Sequence, residues 1–337
     1  MGVKTLVHIL YANKVGCFIC MKTFDRVHFA IVAFLLLLMS PICGIAQQVH
    51  VRHAIPYCNA QYPGEDKMRR LCFDFYEPEG HSDTLRPLVI TLFGGGFVVG
   101  SRDYEDMVAW CKHFAEKGIA AASIDYRLMP AHKFNAKGLV RTGYMAAQDV
   151  SAAVRFFKAN ADKYRIDTNR IFLLGQSAGA VAILHALYMD EDERPSDTFL
   201  DPELPPLHST GNAASMKQKF SVAGAVLLWG CIFKPDMIDP DETTPICLIH
   251  GGKDVILPPD SGYAFSIPGL PYAYGSQPIA DRLTELGTTS FELHLFDDEP
   301  HVFYFKLLYM FNLDQQKFDK CFNIAWDFVR RKSTEDK

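Results

Sequence analysis

Apolar positions along the 337-residue chain follow two different periods. Short, nearly unbroken apolar runs occur at 88–93 (LVITLF), 119–126 (IAAASIDY), 170–175, 222–229 (VAGAVLLW), 245–250 (PICLIH) and 291–296 (FELHLF). Runs without polar alternation predict strands buried on both faces, as in a parallel sheet. Helical spacing fills the intervals at 103–117, closing at Gly118, and at 143–163, 178–188, 277–286 and 315–331. Residues 49–77 predict two more strands about a turn, at a sheet edge. Strands alternating with helices predict an α/β fold, a mostly parallel sheet of about eight strands with helices on both faces. Three segments, 131–142, 190–219 and 257–276, read as insertions. The second is rich in Asp, Glu, Pro and Ser and reads as a solvated surface loop. The third follows the C-terminal end of a strand, where open α/β sheets place their ligands.

The N-terminus does not fit this alternation. Lys22 and Arg26 precede an apolar stretch from Phe29 to Met39, and Gly44-Ile45-Ala46 precedes Gln47. This is the pattern of a secretory signal peptide over 21–46, too short for a comfortable membrane span. Residues 1–20 read as an upstream extension, with translation starting at Met21. Cys43 invites a lipid anchor, but Ser40-Pro41-Ile42 is a poor match to the small residues such a site needs. The expectation is an extension plus signal over 1–46 and a single domain over 47–337, periplasmic or secreted, with no stable membrane anchor after cleavage. Losing residues 1–46 removes four positive and one negative side chain, which moves the net charge from −5 to −8. With no basic block, the chain has no footprint for nucleic acid. The pattern carries no signal for oligomeric state.

Six cysteines remain beyond residue 46. Cys58 and Cys72 lie symmetrically about Pro63-Gly64-Glu65-Asp66, so a hairpin there would set them opposite each other, and a disulfide is expected. The other four read as buried small hydrophobes. No Cys/His group has zinc spacing, and no cofactor is expected.

The chemistry concentrates in Gly175-Gln176-Ser177-Ala178-Gly179, between an apolar strand (Ile171–Leu174) and a helical run. A sharp strand-to-helix turn leaves no room for β-carbons on either side of its apex, and it pushes the apex side chain outward. The plainer reading is a helix start with a serine cap. A serine nucleophile also needs a base, a group that orients the base, and donors for an oxyanion. Gly94-Gly95-Gly96, flanked by Phe93 and Phe97 after a strand, can expose amides. The amide of Ala178 at the helix start adds another donor. Asp254 lies in a glycine-rich loop after the 245–250 strand, where it could instead cap a turn. His301 lies after the last strand; His294, inside that strand, is its competitor. The order is oxyanion glycines, Ser177, Asp254, His301, each after a predicted strand.

On these residues the chain resembles α/β-hydrolase carboxylesterases of the GGGX type, close to the hormone-sensitive-lipase-like esterases. The resemblance runs from about residue 70 to the C-terminus. It rests on 93–97, on Asp125-Tyr126-Arg127-Leu128 with Pro130, on Gln148-Asp149-Val150, on the Ser177 turn, on His250-Gly251-Gly252-Lys253-Asp254 and on His301. It implies an α/β-hydrolase fold with Ser177 as nucleophile, His301 as base, Asp254 as orienter, and Gly95, Gly96 and Ala178 as oxyanion donors. Asp125 and Arg127 would be structural. The family's histidine before the glycines is Phe93 here, at a position that braces the loop. The stretch from Pro130 to Gln148 is longer than usual, and little chain is available for a cap. An open site rimmed by 257–276 and 230–233 is expected. The implied substrate is a small-molecule or glycan ester with a short acyl group, and the overall pattern resembles exported esterases of Bacteroidetes-type bacteria. A serine exopeptidase acting on amides and a non-catalytic binding protein on the same fold are the alternatives.

Overall fold

Val49 and Pro78 face each other across the first strand pair, β1 (Val49–Gln61) and β2 (Met68–Pro78), which is antiparallel. In this computed structural model the described residues are 48–65, 68–80, 84–307 and 311–334, and the extension and signal peptide expected over 1–46 lie outside them. Next come β3 (Arg86–Leu92), α1 (Glu105–Glu116), β4 (Ala120–Ile124), α2 (Ala136–Ala159), β5 (Ile166–Gln176), α3 (Ala178–Tyr188), β6 (Gly224–Leu228) and β7 (Ile246–Gly251). A small hairpin, β8 (Ser261–Tyr263) and β9 (Tyr272–Tyr274), leads into α4 (Ser276–Glu285) and β10 (Phe291–Phe296). A second small hairpin, β11 (Phe305–Leu307) and β12 (Phe311–Leu313), precedes α5 (Gln315–Thr334).

The main sheet has eight strands in the order β1-β2-β4-β3-β5-β6-β7-β10. From β4 to β10 all neighbours are parallel, and β3, β4, β6 and β7 are buried almost throughout. Burial on both faces is why these strands are unbroken apolar runs. The crossover β3–α1–β4 moves along the sheet one way, and β4–α2–β5 moves the other. With right-handed crossovers, α1 and α2 must lie on opposite faces. On one side Trp110 of α1 packs its ring on Phe318 and Phe322 of α5. This is the α/β-hydrolase fold predicted above.

The disulfide expected between Cys58 and Cys72 is not formed; both are buried free thiols. The hairpin exists, but its register is one residue off the symmetric pairing. Cys58 lies opposite Leu71, and after a bulge at Tyr57, Cys72 lies opposite Pro56. Side chains alternate between faces along a strand, so a one-residue slip puts the two sulfurs on opposite sides of the sheet. Burial pushes the Cys58 thiol up to about 11, keeping it protonated.

Two of the expected insertions also look different. Helix α2 starts at Ala136 rather than near 143, and the Asn135 side chain accepts the Gly138 amide proton (2.9 Å) as its cap. Gly138 is there for space, since a β-carbon would stand 2.1 Å from the Lys133 carbonyl oxygen. The 190–219 segment is a strap rather than a free loop. Its many prolines leave carbonyls without strand partners, and α2 supplies donors to them. Gln148 Nε2 donates to the Pro205 carbonyl (2.6 Å), and Arg141 donates to the carbonyls of Asp197 and Leu200 (2.5 and 3.1 Å). Its own Leu204 and Leu207 are buried. Arg127 is buried against Asp149 of α2 (2.8 Å) and donates to Gln148 and the Met145 carbonyl, which ties the strand-end loop to that helix.

Candidate active site

Strand β5 runs into α3 through a single residue, Ser177, whose φ of 50° and ψ of −123° are rare for a side chain with a β-carbon. The flanking glycines account for the geometry. A β-carbon on Gly175 would stand 2.6 Å from the Gly179 carbonyl carbon, and one on Gly179 would stand 2.6 Å from the Leu92 carbonyl oxygen. The two glycines therefore let α3 seat directly on β5 and on the end of β3. Ser177 does not cap the helix with its side chain, which leaves its hydroxyl to other partners and removes the plainer reading of this motif.

The hydroxyl meets His301, with Ser177 Oγ 2.9 Å from Nε2. The other ring nitrogen, Nδ1, lies 2.6 Å from Asp254 Oδ2. A carboxylate can only accept, so Nδ1 carries the proton and Nε2 is left to receive one from the serine. Asp254 is fixed on its other oxygen by the Ile256 and Leu257 amides (2.8 and 2.9 Å). Burial alone would raise its pKa, but hydrogen bonds from His250 and His301 outweigh this and hold the carboxyl well below its ordinary value. All three side chains are buried to within a few per cent. His294, the competitor, stays on β10 beside Glu292 (3.3 Å).

Gly94, Gly95, Gly96, Ser177 and His301 line one cavity of 430 Å³. Gly95 takes φ 121°, and a β-carbon there would stand 2.0 Å from the Val99 carbonyl oxygen; Gly94 packs on the serine itself. The amides of Val98 and Val99 both donate to the Gly95 carbonyl (3.1 Å), curling the glycines around the serine. Ala178 is the first residue of α3, so its amide has no acceptor within the helix. Phe93, standing where the resemblance expects histidine, stacks on Tyr126 (4.3 Å), whose hydroxyl donates to the Phe93 carbonyl (2.8 Å). An aromatic pair thus braces the loop.

Ser177 and Gly96 also line a second cavity of 60 Å³, together with Ala178 and Val181 of α3, Leu139 and Gly143 of α2, and Cys231 and Phe233. Phe265 and Ile256 line both cavities. The 257–276 segment forms the β8–β9 hairpin beside the site, pinned by a bridge between Tyr274 and Ile232 (2.9 Å each way). Both rim segments read from the sequence are therefore present.

Two groups around the triad were not legible in the sequence. His250, wholly buried, reaches the Leu257 carbonyl with Nε2 (2.8 Å), which fixes the proton there. The same nitrogen lies 3.2 Å from Asp254, and Nδ1 accepts from Ser276 (2.7 Å). Its only signal was its place in the His250-Gly251-Gly252-Lys253-Asp254 stretch of the resemblance, which gave it no role of its own. The other group lies behind the serine. Gln176 donates to the buried Asp106 of α1 (2.5 Å) and accepts from the Tyr304 hydroxyl, which also lies 3.3 Å from Asp106. This network joins the serine turn to the loop carrying His301. Burial lifts the Asp106 carboxyl to about 6, against the hydrogen bonds that pull it down. In the sequence, Asp106 looked like an ordinary acidic residue in a helix's first turn.

A family model described as BD-FAE matches residues 73–232, which span the glycine loop and the serine turn. A carboxylesterase, NlhH, of Mycobacterium tuberculosis is 29% identical over 208 residues, covering 58% of this chain and 60% of that protein. A probable isoprenylcysteine alpha-carbonyl methylesterase of Oryza sativa subsp. japonica is 29% identical over 171 residues, covering 50% of this chain and 34% of its own length. The chain thus spans about a third of that plant relative. Among solved structures, a thermophilic esterase of Thermogutta terrifontis with propionate bound superposes with a TM-score of 0.55 at 18% identity, covering 85% of this chain and 94% of that one. That likeness concerns the fold.

Proposed function

We propose that this chain, an α/β-hydrolase in fold with carboxylesterases among its relatives, hydrolyses carboxylic esters through an acyl-enzyme on Ser177 as the hormone-sensitive-lipase-like esterases do. One observation carries the reading. A serine with a left-handed backbone is hydrogen-bonded to a histidine that is itself hydrogen-bonded to a depressed, doubly anchored aspartate. In that arrangement Ser177 Oγ attacks the ester carbonyl carbon as His301 Nε2 takes its proton. The carbonyl oxygen becomes an oxyanion, for which Gly95, Gly96 and Ala178 are the proposed donors. When the tetrahedral adduct collapses, the bond to the leaving oxygen breaks and His301 returns the proton to the alcohol. Water then repeats the sequence on the acyl-enzyme, freeing the acid and Ser177. Asp254 holds the ring in the required tautomer and stabilises its charged form.

The cavities favour short acyl groups on a larger alcohol with a flat apolar face, such as an aromatic ring or the C–H face of a sugar. The propionate and butyrate ligands named for the Thermogutta terrifontis esterase are of the same small size. The export pattern of residues 21–46 supports action in the periplasm or outside the cell. The test is hydrolysis of p-nitrophenyl acetate by the wild type and by Ser177→Ala, with intact mass after exposure to paraoxon. The expected result is turnover and a mass gain on the wild type, and neither on the variant. A folded wild type that neither turns over nor gains mass would sink the reading.

A further inference from the structure

Phe265 stands between the two cavities in an unusual way. It lines both of them, and its ring lies against the glycine loop, where a β-carbon on Gly96 would meet Phe265 Cζ at 3.0 Å. Its backbone is left-handed (φ 59°, ψ 17°), and so is that of Ser266 (φ 55°). Two consecutive non-glycine residues in that region are disfavoured, and such strain persists only where the surroundings enforce it, often at ligand-binding walls. Here the surroundings do enforce it. The Phe265 amide donates to the Ile256 carbonyl (2.7 Å), Ser266 Oγ donates to the Val255 carbonyl (2.6 Å), and the Phe134 ring meets Phe265 edge-on at 5.8 Å. The hairpin that carries Phe265 is tied to the Asp254 loop on one side and to Ile232 on the other.

The position of His301 decides which cavity takes which half of an ester. The group that protonates the leaving oxygen must reach it, so the alcohol occupies the cavity that His301 lines. That is the 430 Å³ cavity, with Val98, Val99, Tyr104, Phe134 and Phe305 on its walls. The acyl chain then falls into the 60 Å³ cavity, which His301 does not line. Its volume amounts to roughly two water-sized groups, the room that an acetyl or propionyl tail needs.

We propose that Phe265 is the specificity-determining partition that limits this chain to esters of two- or three-carbon acids on bulky, apolar-faced alcohols. The proposal rests on the esterase reading above and adds the wall that sets the acyl length. Removing the ring joins the small cavity to the large one and admits longer chains. A left-handed backbone is as strained for alanine or leucine as for phenylalanine, so the replacements leave that local cost unchanged.

The experiment compares wild type, Phe265→Ala and Phe265→Leu on p-nitrophenyl esters from acetate to decanoate, with thermal melts to establish folding. Wild type is expected to peak at acetate or propionate. In Phe265→Ala the octanoate-to-acetate ratio of kcat/KM should rise by about tenfold or more, the scale of a methylene gaining or losing its pocket. Phe265→Leu should fall between, and it serves as the readout if the alanine variant does not fold. A wild-type optimum at octanoate or decanoate, or a ratio unchanged in folded variants, overturns the partition while leaving the esterase reading intact. A change confined to alcohol preference, read with phenyl and 1-naphthyl acetates, also overturns it, because the halves would then be reversed. Hydrolysis of no ester by folded wild type sinks the esterase reading and the partition together.

Discussion

Replacing Gly175 with alanine tests the claim that the serine turn is held by steric contact. The added β-carbon would stand 2.6 Å from the Gly179 carbonyl carbon and 2.7 Å from both the Ala180 nitrogen and the Gly179 oxygen. All three are backbone atoms of α3, so no side chain can swing away. Ordinary contact begins near 3.4 Å, so strand and helix must part by about 0.8 Å. Ser177 is the hinge between them, and its 2.9 Å bond to His301 would stretch toward 3.7 Å, beyond hydrogen-bond range. Overpacking of this kind costs about 1–3 kcal/mol, and a displacement near 1 Å at the reacting atom costs on the order of 100-fold in rate. The assay is kcat on p-nitrophenyl acetate beside a urea melt. A control for the urea melt alone, since Gly143 lines the smaller cavity, is Gly143→Ala, where the β-carbon meets only the Phe97 ring at 3.6 Å within helix α2. There, exchanging glycine for alanine should stabilise by up to about 1 kcal/mol. If Gly175→Ala keeps kcat within about threefold of wild type and melts with it, contact between β5 and α3 does not set the turn.

Three further outcomes follow from the same geometry. Asp254→Asn should lower kcat by about 10⁴-fold by allowing the wrong His301 tautomer, with KM little changed. Because the folded-state pKa of Asp254 is depressed, its stabilisation is in place above about pH 4 and fades as pH falls below that; the asparagine variant should lose less stability than wild type between pH 4 and 2 in thermal melts. Asp106 has the opposite sign. Its carboxyl is raised to about 6, so the folded state keeps a proton that the unfolded chain releases near 4, and stability falls as pH rises from about 4 through 6. A two-unit shift is worth on the order of 3 kcal/mol, so Asp106→Asn should flatten that slope in melts at pH 4.5 and 7, and an unchanged slope would refute the assignment. Arg127→Ala leaves Asp149 buried and unpaired, and should cost about 3–5 kcal/mol in urea unfolding.

The sheet and the triad were legible because their signals are local. A parallel strand buried on both faces has to be an apolar run, and the 245–250 run lies within one residue of β7. The serine turn is written in five consecutive positions, although only the Gly175 clashes are local, with Gly179 and Ala180; those of Gly179 are with Leu92 and Phe93 at the end of β3. Asp254 and His301 each follow a strand end, and the order of strand ends along the chain is the order of the site. The elements that were misplaced depend on partners far away in sequence. The start of α2 falls in the 131–142 stretch that reads as an insertion; Gly138 within it is required by packing against Lys133. The bridge expected between Cys58 and Cys72 failed on a register that a bulge at Tyr57 moves by one residue. Nothing in the spacing of two cysteines about a turn encodes that slip.

The same distinction explains why Ser177 could be singled out from five residues while the shape of its pocket could not. A cavity wall is a meeting of separate segments. The larger cavity takes Val98 and Tyr104 from the glycine loop and its sequel, Phe134 from the approach to α2, Phe265 from the hairpin, and Phe305 from beyond the histidine. Each is one aromatic or branched residue in a loop or, for Phe305, at the start of a three-residue strand, and such a residue has no periodicity to mark it as anything but partly buried surface. Phe265 is the sharpest case. It sits in a run of prolines, glycines and aromatics in which no position stands out, and phenylalanine is an unusual choice for a left-handed backbone. Only when its neighbours are assembled does the conflict between local preference and observed conformation become visible. Sequences usually agree with their folds at every level, and disagreement at one position marks a place where another requirement has prevailed. At Ser177 that requirement is presenting a hydroxyl. At Phe265 it is holding an aromatic wall between the two halves of a substrate.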